Sequence, residues 1–144
     1  MKKLLLLIAL IPLYATADFY KALNAYEKKN YESAYNQFLE MAKLGETRSQ
    51  FNLGVMFYDG EFVEKDINQS YAWLKLASES KTASDKELNT FEQIKGKISD
   101  HNSANQVYDT ISQYSNDQLL VNLYPEFLDT EETNPDQATA IKIE

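Results

Sequence analysis

SQFNLGVMFYDGEFVEKDINQSYAWLKLAS, residues 49–78, reads as two helices joined by a short loop. Leu53, Gly54, Met56 and Phe57 fall at i, i+1, i+3 and i+4, a spacing that gathers them on one face of a 3.6-residue period. Gly60 stands where a left-handed residue ends the first helix. Asp66 followed by Gln69 predicts a start of the capping-box kind for the second helix. Ser70, Trp73, Leu74 and Ala77 then form a second stripe. Gly54 and the small Ser70 and Ala77 let two helix backbones come close, with Trp73 filling the space beside them.

The same stretch carries a family resemblance. Gln50, Phe51, Leu53, Gly54, Met56, Phe57, Gly60, Val63, Asp66, Trp73 and Ala77 occupy the places of the Sel-like repeat pattern, and the segment resembles that branch of the tetratricopeptide-type α-solenoids. It departs at three places: Phe62 stands where a second loop glycine is usual, and Ser70 and Ser78 replace alanines. The resemblance implies stacked helix pairs and a non-catalytic adaptor that holds protein partners. It assigns structural roles to Leu53, Gly54, Phe57, Gly60, Asp66, Trp73 and Ala77.

A second, more degenerate unit precedes this one. Phe19, Ala22, Ala25 and Tyr26 align with Phe51, Gly54, Phe57 and Tyr58 at an offset of 32, and Ala34, Phe38, Met41 and Ala42 with Ser70, Leu74, Ala77 and Ser78 at 36. The difference is a longer loop in the second unit, so residues 18–44 form a helix pair with a tight turn at Lys29 and Asn30. The fold class expected is all-α: a short α-solenoid of two helix pairs over residues 18–80, closed by C-terminal helices over 81–124.

Residues 1–17 have another character. Lys2 and Lys3 precede an apolar run over residues 4–13, and Ala15, Thr16 and Ala17 supply a small-residue cleavage site. This is the layout of a secretory signal peptide, too short in its apolar part to span about 30 Å of hydrocarbon. Cleavage after Ala17 removes two of the 14 basic residues and none of the 22 carboxylates, taking the net charge from −8 to −10. A chain this acidic is repelled by nucleic acid and by anionic lipid, so neither nucleic acid nor stable membrane insertion is expected of the processed protein. The expected compartment is the periplasm. With no cysteine the core holds by packing alone.

Beyond residue 80, Ser84 with Glu87 predicts a capping box, and Leu88, Phe91, Ile94 and Ile98 continue as a helical stripe that Gly96 weakens. Residues 99–102 break the chain. Ser103 is expected to open a helix carrying Val107, Tyr108, Ile111 and Tyr114, and Asp117 to cap a short last turn before Pro125. Residues 125–144 are acidic and aperiodic, and are expected to form a disordered tail or a linker.

Chemistry-bearing patterns are few. His101 is the only histidine, and Gly45, Gly54, Gly60 and Gly96 are isolated, so no transition-metal site, phosphate loop or cofactor is expected. Asp59, Glu61, Glu64 and Asp66 lack the spacing of a calcium loop. The chain is expected not to be an enzyme. Its partner is expected to be a protein or peptide, met by Tyr20, Asn24, Asn52 and Tyr58 on the first helices of each pair, with Tyr35 and Tyr71 also facing partly outward. Alternatives are the repeat region of a TonB-type envelope protein, a small hydrolase using residues 59–66, and self-association through a solenoid end.

Overall fold

The computed structural model describes residues 11–123, with side-chain surroundings for residues 18–113. Six helices follow one another among the described residues: α1 (Ile11–Glu27), α2 (Tyr31–Lys43), α3 (Thr47–Asp59), α4 (Ile67–Glu79), α5 (Asp85–Lys95) and α6 (His101–Leu123). The all-α expectation is borne out, with α1–α2 and α3–α4 as the two hairpins. The expected tail over residues 125–144 lies outside the described residues.

Each boundary has a local cause. Asn30 caps α2 by accepting from the Ser33 N–H at 3.3 Å, and Glu46 caps α3 by accepting from the Ser49 N–H at 2.6 Å. Gly60 ends α3 in the left-handed region at φ +75°. Asp66 Oδ1 accepts from the Asn68 and Gln69 N–H groups at 2.9 and 3.0 Å. The Asp66 N–H donates to the Phe57 carbonyl at 3.0 Å, so the loop is tied back onto α3. The Ser84 N–H donates to Glu87 Oε2 at 2.8 Å, completing the predicted box. Burial raises the Glu87 carboxyl, but the Ser84 hydroxyl and N–H outweigh it and hold the group below the ordinary carboxylate value.

Close packing of α3 on α4 follows from Gly54. A Cβ placed there lies 2.5 Å from Leu74 Cγ and 3.2 Å from the Ser70 carbonyl oxygen. Two buried clusters result. One unites the hairpins: Phe19, Ala22, Ala34, Phe38, Met41 and Ala42 of the first meet Leu53, Met56 and Trp73 of the second. The other joins Phe51, Tyr71, Leu74 and Ala77 to Ile94, Ile98 and Ala104 of the C-terminal part. Trp73 is 5 % exposed, the core position expected of it. Phe57 is half-buried against the first cluster. Buried Gln50 donates from Nε2 to the Ala42 carbonyl at 3.2 Å, tying α3 to the end of α2.

Helix α6 lies along α4 and reaches α2, where Ile111 packs against the first cluster. Tyr71 donates to Asn105 Oδ1 at 3.1 Å and Tyr108 to Glu79 Oε2 at 2.5 Å. Burial, then that Glu79 bond, pushes the Tyr108 phenol up to about 12.

Four local expectations need correction. Asp100, not Ser103, opens α6: its Oδ1 accepts from the Asn102 and Ser103 N–H groups at 3.0 and 3.2 Å, so the helix starts at His101. No separate turn begins at Asp117, because α6 continues to Leu123. Tyr71 is buried, not outward-facing, because α6 covers it. Leu88 is exposed, and the α5 stripe narrows to Phe91 and Ile94, with Ile98 buried beyond the helix end.

Candidate partner-binding face

Tyr20 and Asn24 are four residues apart on α1, so they share one face, and both are exposed. Tyr20 is 62 % exposed, the most of any large apolar side chain described. It does not stand alone. The Arg48 guanidinium of α3 lies 4.0 Å from the centroid of the buried Phe19 ring and 5.8 Å from that of Tyr20. Arg48 Nε is also 2.7 Å from Glu46 Oε1, so the planar group is held by an aromatic face and a carboxylate together. One turn later, Asn52 donates to the Arg48 carbonyl at 2.7 Å and is half-buried.

Of the four expected contact residues, Tyr20 thus lies beside the Arg48 guanidinium and Asn52 is bonded to the Arg48 carbonyl, while Asn24 shares the Tyr20 face of α1. Arg48 is the residue that sequence reading missed. Its signal was available, since it is the only arginine in the chain and lies four residues before Asn52.

Tyr58 is placed elsewhere. Six residues past Asn52, at 100° per residue, it points about 120° away from it around α3. It packs against the second cluster, and its hydroxyl accepts from Lys97 Nζ. Lys97 Nζ and Lys65 Nζ lie 4.6 and 4.8 Å from its ring centroid. The Lys97 hydrogen bond holds the phenol below its ordinary value. Tyr35 is half-buried, with the Phe57 and Phe62 rings 6.1 and 5.4 Å from its own.

Two of the carboxylates over residues 59–66 are engaged within the fold. Asp66 caps α4. Glu61 faces the hydroxyls of Tyr26 and Tyr31, whose rings lie 5.4 Å apart at the other hairpin's turn. Burial and then Glu61 push the Tyr26 phenol up, and the Glu61 contact pushes up Tyr31. Among the described residues no group of three His, Cys, Asp or Glu is placed to hold a metal ion. No helix among them is long and apolar enough to cross a membrane. An open groove of about 290 Å³ lies between α1 and α2, lined by Asp18, Lys21, Asn36, Gln37, Glu40 and Met41.

No curated protein and no solved structure matches the chain. The Sel1 repeat family model matches residues 47–81, from the first residue of α3 to just past the end of α4. Residues 47–81 thus carry a Sel1 repeat, with Gly54, Gly60, Asp66, Trp73 and Ala77 in the packing and capping roles described, and the described residues have the all-α, TPR-like build of helix pairs.

Proposed function

We propose that the chain is a non-catalytic adaptor that binds a protein segment across the α1–α3 face, and that it works in the periplasm after cleavage behind Ala17. A Sel1 repeat points to protein–protein interaction. The observation that carries the choice of face is the Tyr20–Arg48 pair: an aromatic ring standing in solvent beside an arginine whose guanidinium is already oriented. Arg and Tyr supply much of the energy at protein interfaces, because they bury large areas with few rotatable bonds to freeze. Asn24 and Asn52 add amide donors and acceptors on the same two helices.

Secretion is compatible with the packing. A chain starting at Asp18 retains Phe19, Ala22, Leu23, Ala25 and Tyr26, which are in or packed against the first core cluster. Helix α1 itself runs through the Ala17–Asp18 junction, and cleavage shortens it without removing those contacts.

Affinity capture from a periplasmic extract tests the face. Tyr20→Ala and Arg48→Ala are expected to lose partners that the unaltered chain retains, while Lys81→Ala keeps them. Equal recovery by all four proteins would sink the proposed face. N-terminal sequencing of the exported protein is expected to begin at Asp18, and an intact Met1 on cytoplasmic material would sink the compartment.

A further inference from the structure

We propose that Lys65 and Lys97, both held at the Tyr58 ring, form a subsite for a carboxylate of an acidic segment in the partner protein. This rests on the adaptor reading for the partner's being a protein, but on different residues from the α1–α3 face.

The two lysines come from separate loops, Lys65 between α3 and α4 and Lys97 between α5 and α6, and the fold brings both to one ring. Lys65 is fixed by its backbone: its Cβ lies 3.3 Å from where a Cβ on Gly60 would stand, so the loop is packed on the end of α3. Lys97 is fixed by donating to the Tyr58 hydroxyl. Neither ammonium has a carboxylate within 4.0 Å among the described residues, whereas Lys43, Arg48 and Lys95 each have one. Asp59 adjoins Tyr58 in sequence and is exposed, yet it pairs with neither lysine.

In a chain of net charge −8, the fold gathers two cations at one aromatic ring. Their mutual repulsion disfavours the arrangement, and a carboxylate seated near both removes it while accepting a charge-assisted hydrogen bond from each. The Tyr58 ring gives an apolar floor for the methylene groups of an Asp or Glu side chain. The Lys97 hydrogen bond and then the Lys97 and Lys65 charges hold the phenol low, against burial and the Asp59 carboxylate. Charge complementarity therefore selects an acidic segment over a neutral or basic one.

Fluorescence anisotropy of the full chain with labelled hexaglutamate, beside hexaglutamine, tests this at low salt and at about 0.15 M. Saturable binding of hexaglutamate alone is expected. Lys65→Gln with Lys97→Gln should weaken it by about tenfold or more, as expected for two lost charge-assisted bonds. Lys28→Gln with Lys81→Gln, which removes the same charge from exposed sites elsewhere, should change it less than about twofold. Equal weakening by both double variants would overturn the subsite in favour of diffuse attraction. Absence of binding by the unaltered chain would overturn it too, including the case in which the chain's own acidic residues 126–144 already occupy the lysines. Tyr20→Ala should leave peptide binding unchanged, so failure of the α1–α3 face and failure of this subsite are read separately.

Discussion

The two hairpins share a plan but differ on one face, and that face shows how the stack is bounded. In the second hairpin, Leu53, Trp73 and Leu76 are among the side chains packed against the first, and Ala72 is fully buried. At the equivalent places the first hairpin has Lys21, Asn36, Gln37 and Glu40. Three of the four apolar groups, Leu53, Trp73 and Leu76, pack in the cluster that unites the hairpins. The four polar groups line the open groove between α1 and α2. One register thus carries a docking face in one unit and a water-facing one in the other. A stack of repeats needs its outermost face to be polar, and Gln37 in place of Trp73 achieves this with no change of backbone plan.

The largest expected effect breaks that contrast directly. Trp73→Ala removes a buried ring between hairpins and should cost about 3–5 kcal/mol, whereas Gln37→Ala should stay within about 0.5 kcal/mol because it faces a solvated groove. Urea denaturation of both variants measures the difference. Comparable losses would mean that the groove is a packed surface and that the first hairpin is not a terminal unit.

Next in size is the close approach of α3 and α4 at Gly54. Ala22 stands in the first hairpin where Gly54 stands in the second, and it is fully buried. Gly54→Ala forces a methyl against Leu74 Cγ, which is itself buried and has no free space to move into. The cost should be about 1–3 kcal/mol. Combined with Leu74→Ala, the loss should fall well short of the sum of the single losses, since the second change removes the clash. Additivity in this double-mutant cycle would show that the helices separate rather than collide.

A smaller contrast lies at Ser70, whose counterpart is Ala34. The Ser70 hydroxyl is fully buried and has no hydrogen-bond partner. Ser70→Ala, which copies the first hairpin, should therefore raise stability by about 1 kcal/mol, the lower end of the penalty for an unpaired buried hydroxyl. A loss in the thermal melt would show that the hydroxyl is bonded.

What could be read beforehand was what depends on neighbours in sequence. Gly60, Asp66 and the Ser84–Glu87 box announced helix ends, and the stripe holding Gly54 and Trp73 announced the hairpin interface. The start of α6 was misjudged because the short segment before it offers several capping side chains, and only geometry shows Asp100 accepting from two N–H groups. Tyr71 was misjudged because its burial depends on α6, whose Asn105 lies 34 residues away. The site was less legible for the same reason. Arg48 over Phe19 joins two helices, and Lys97 reaches Tyr58 across 39 residues. Neither contact has a periodicity to betray it.

The smallest expected effect separates the two hairpin loops. Each carries a non-glycine residue in the left-handed region, Lys29 at φ +60° in the first and Phe62 at φ +67° in the second. That conformation costs an L-residue about 1–2 kcal/mol, of which glycine returns part through its larger entropy loss on folding. Lys29→Gly should therefore gain about 0.5–1 kcal/mol, since Lys29 is exposed and has only backbone strain to shed. Phe62→Gly restores the glycine usual at that repeat position, but it also deletes a ring 5.4 Å from that of Tyr35. An aromatic pair contributes about 0.5–1.5 kcal/mol, enough to cancel the backbone gain. Urea midpoints should rise for Lys29→Gly and stay level or fall for Phe62→Gly. If both rise equally, the Phe62 ring contributes nothing to the fold, and its exposure would have to be explained by contact with something outside the chain.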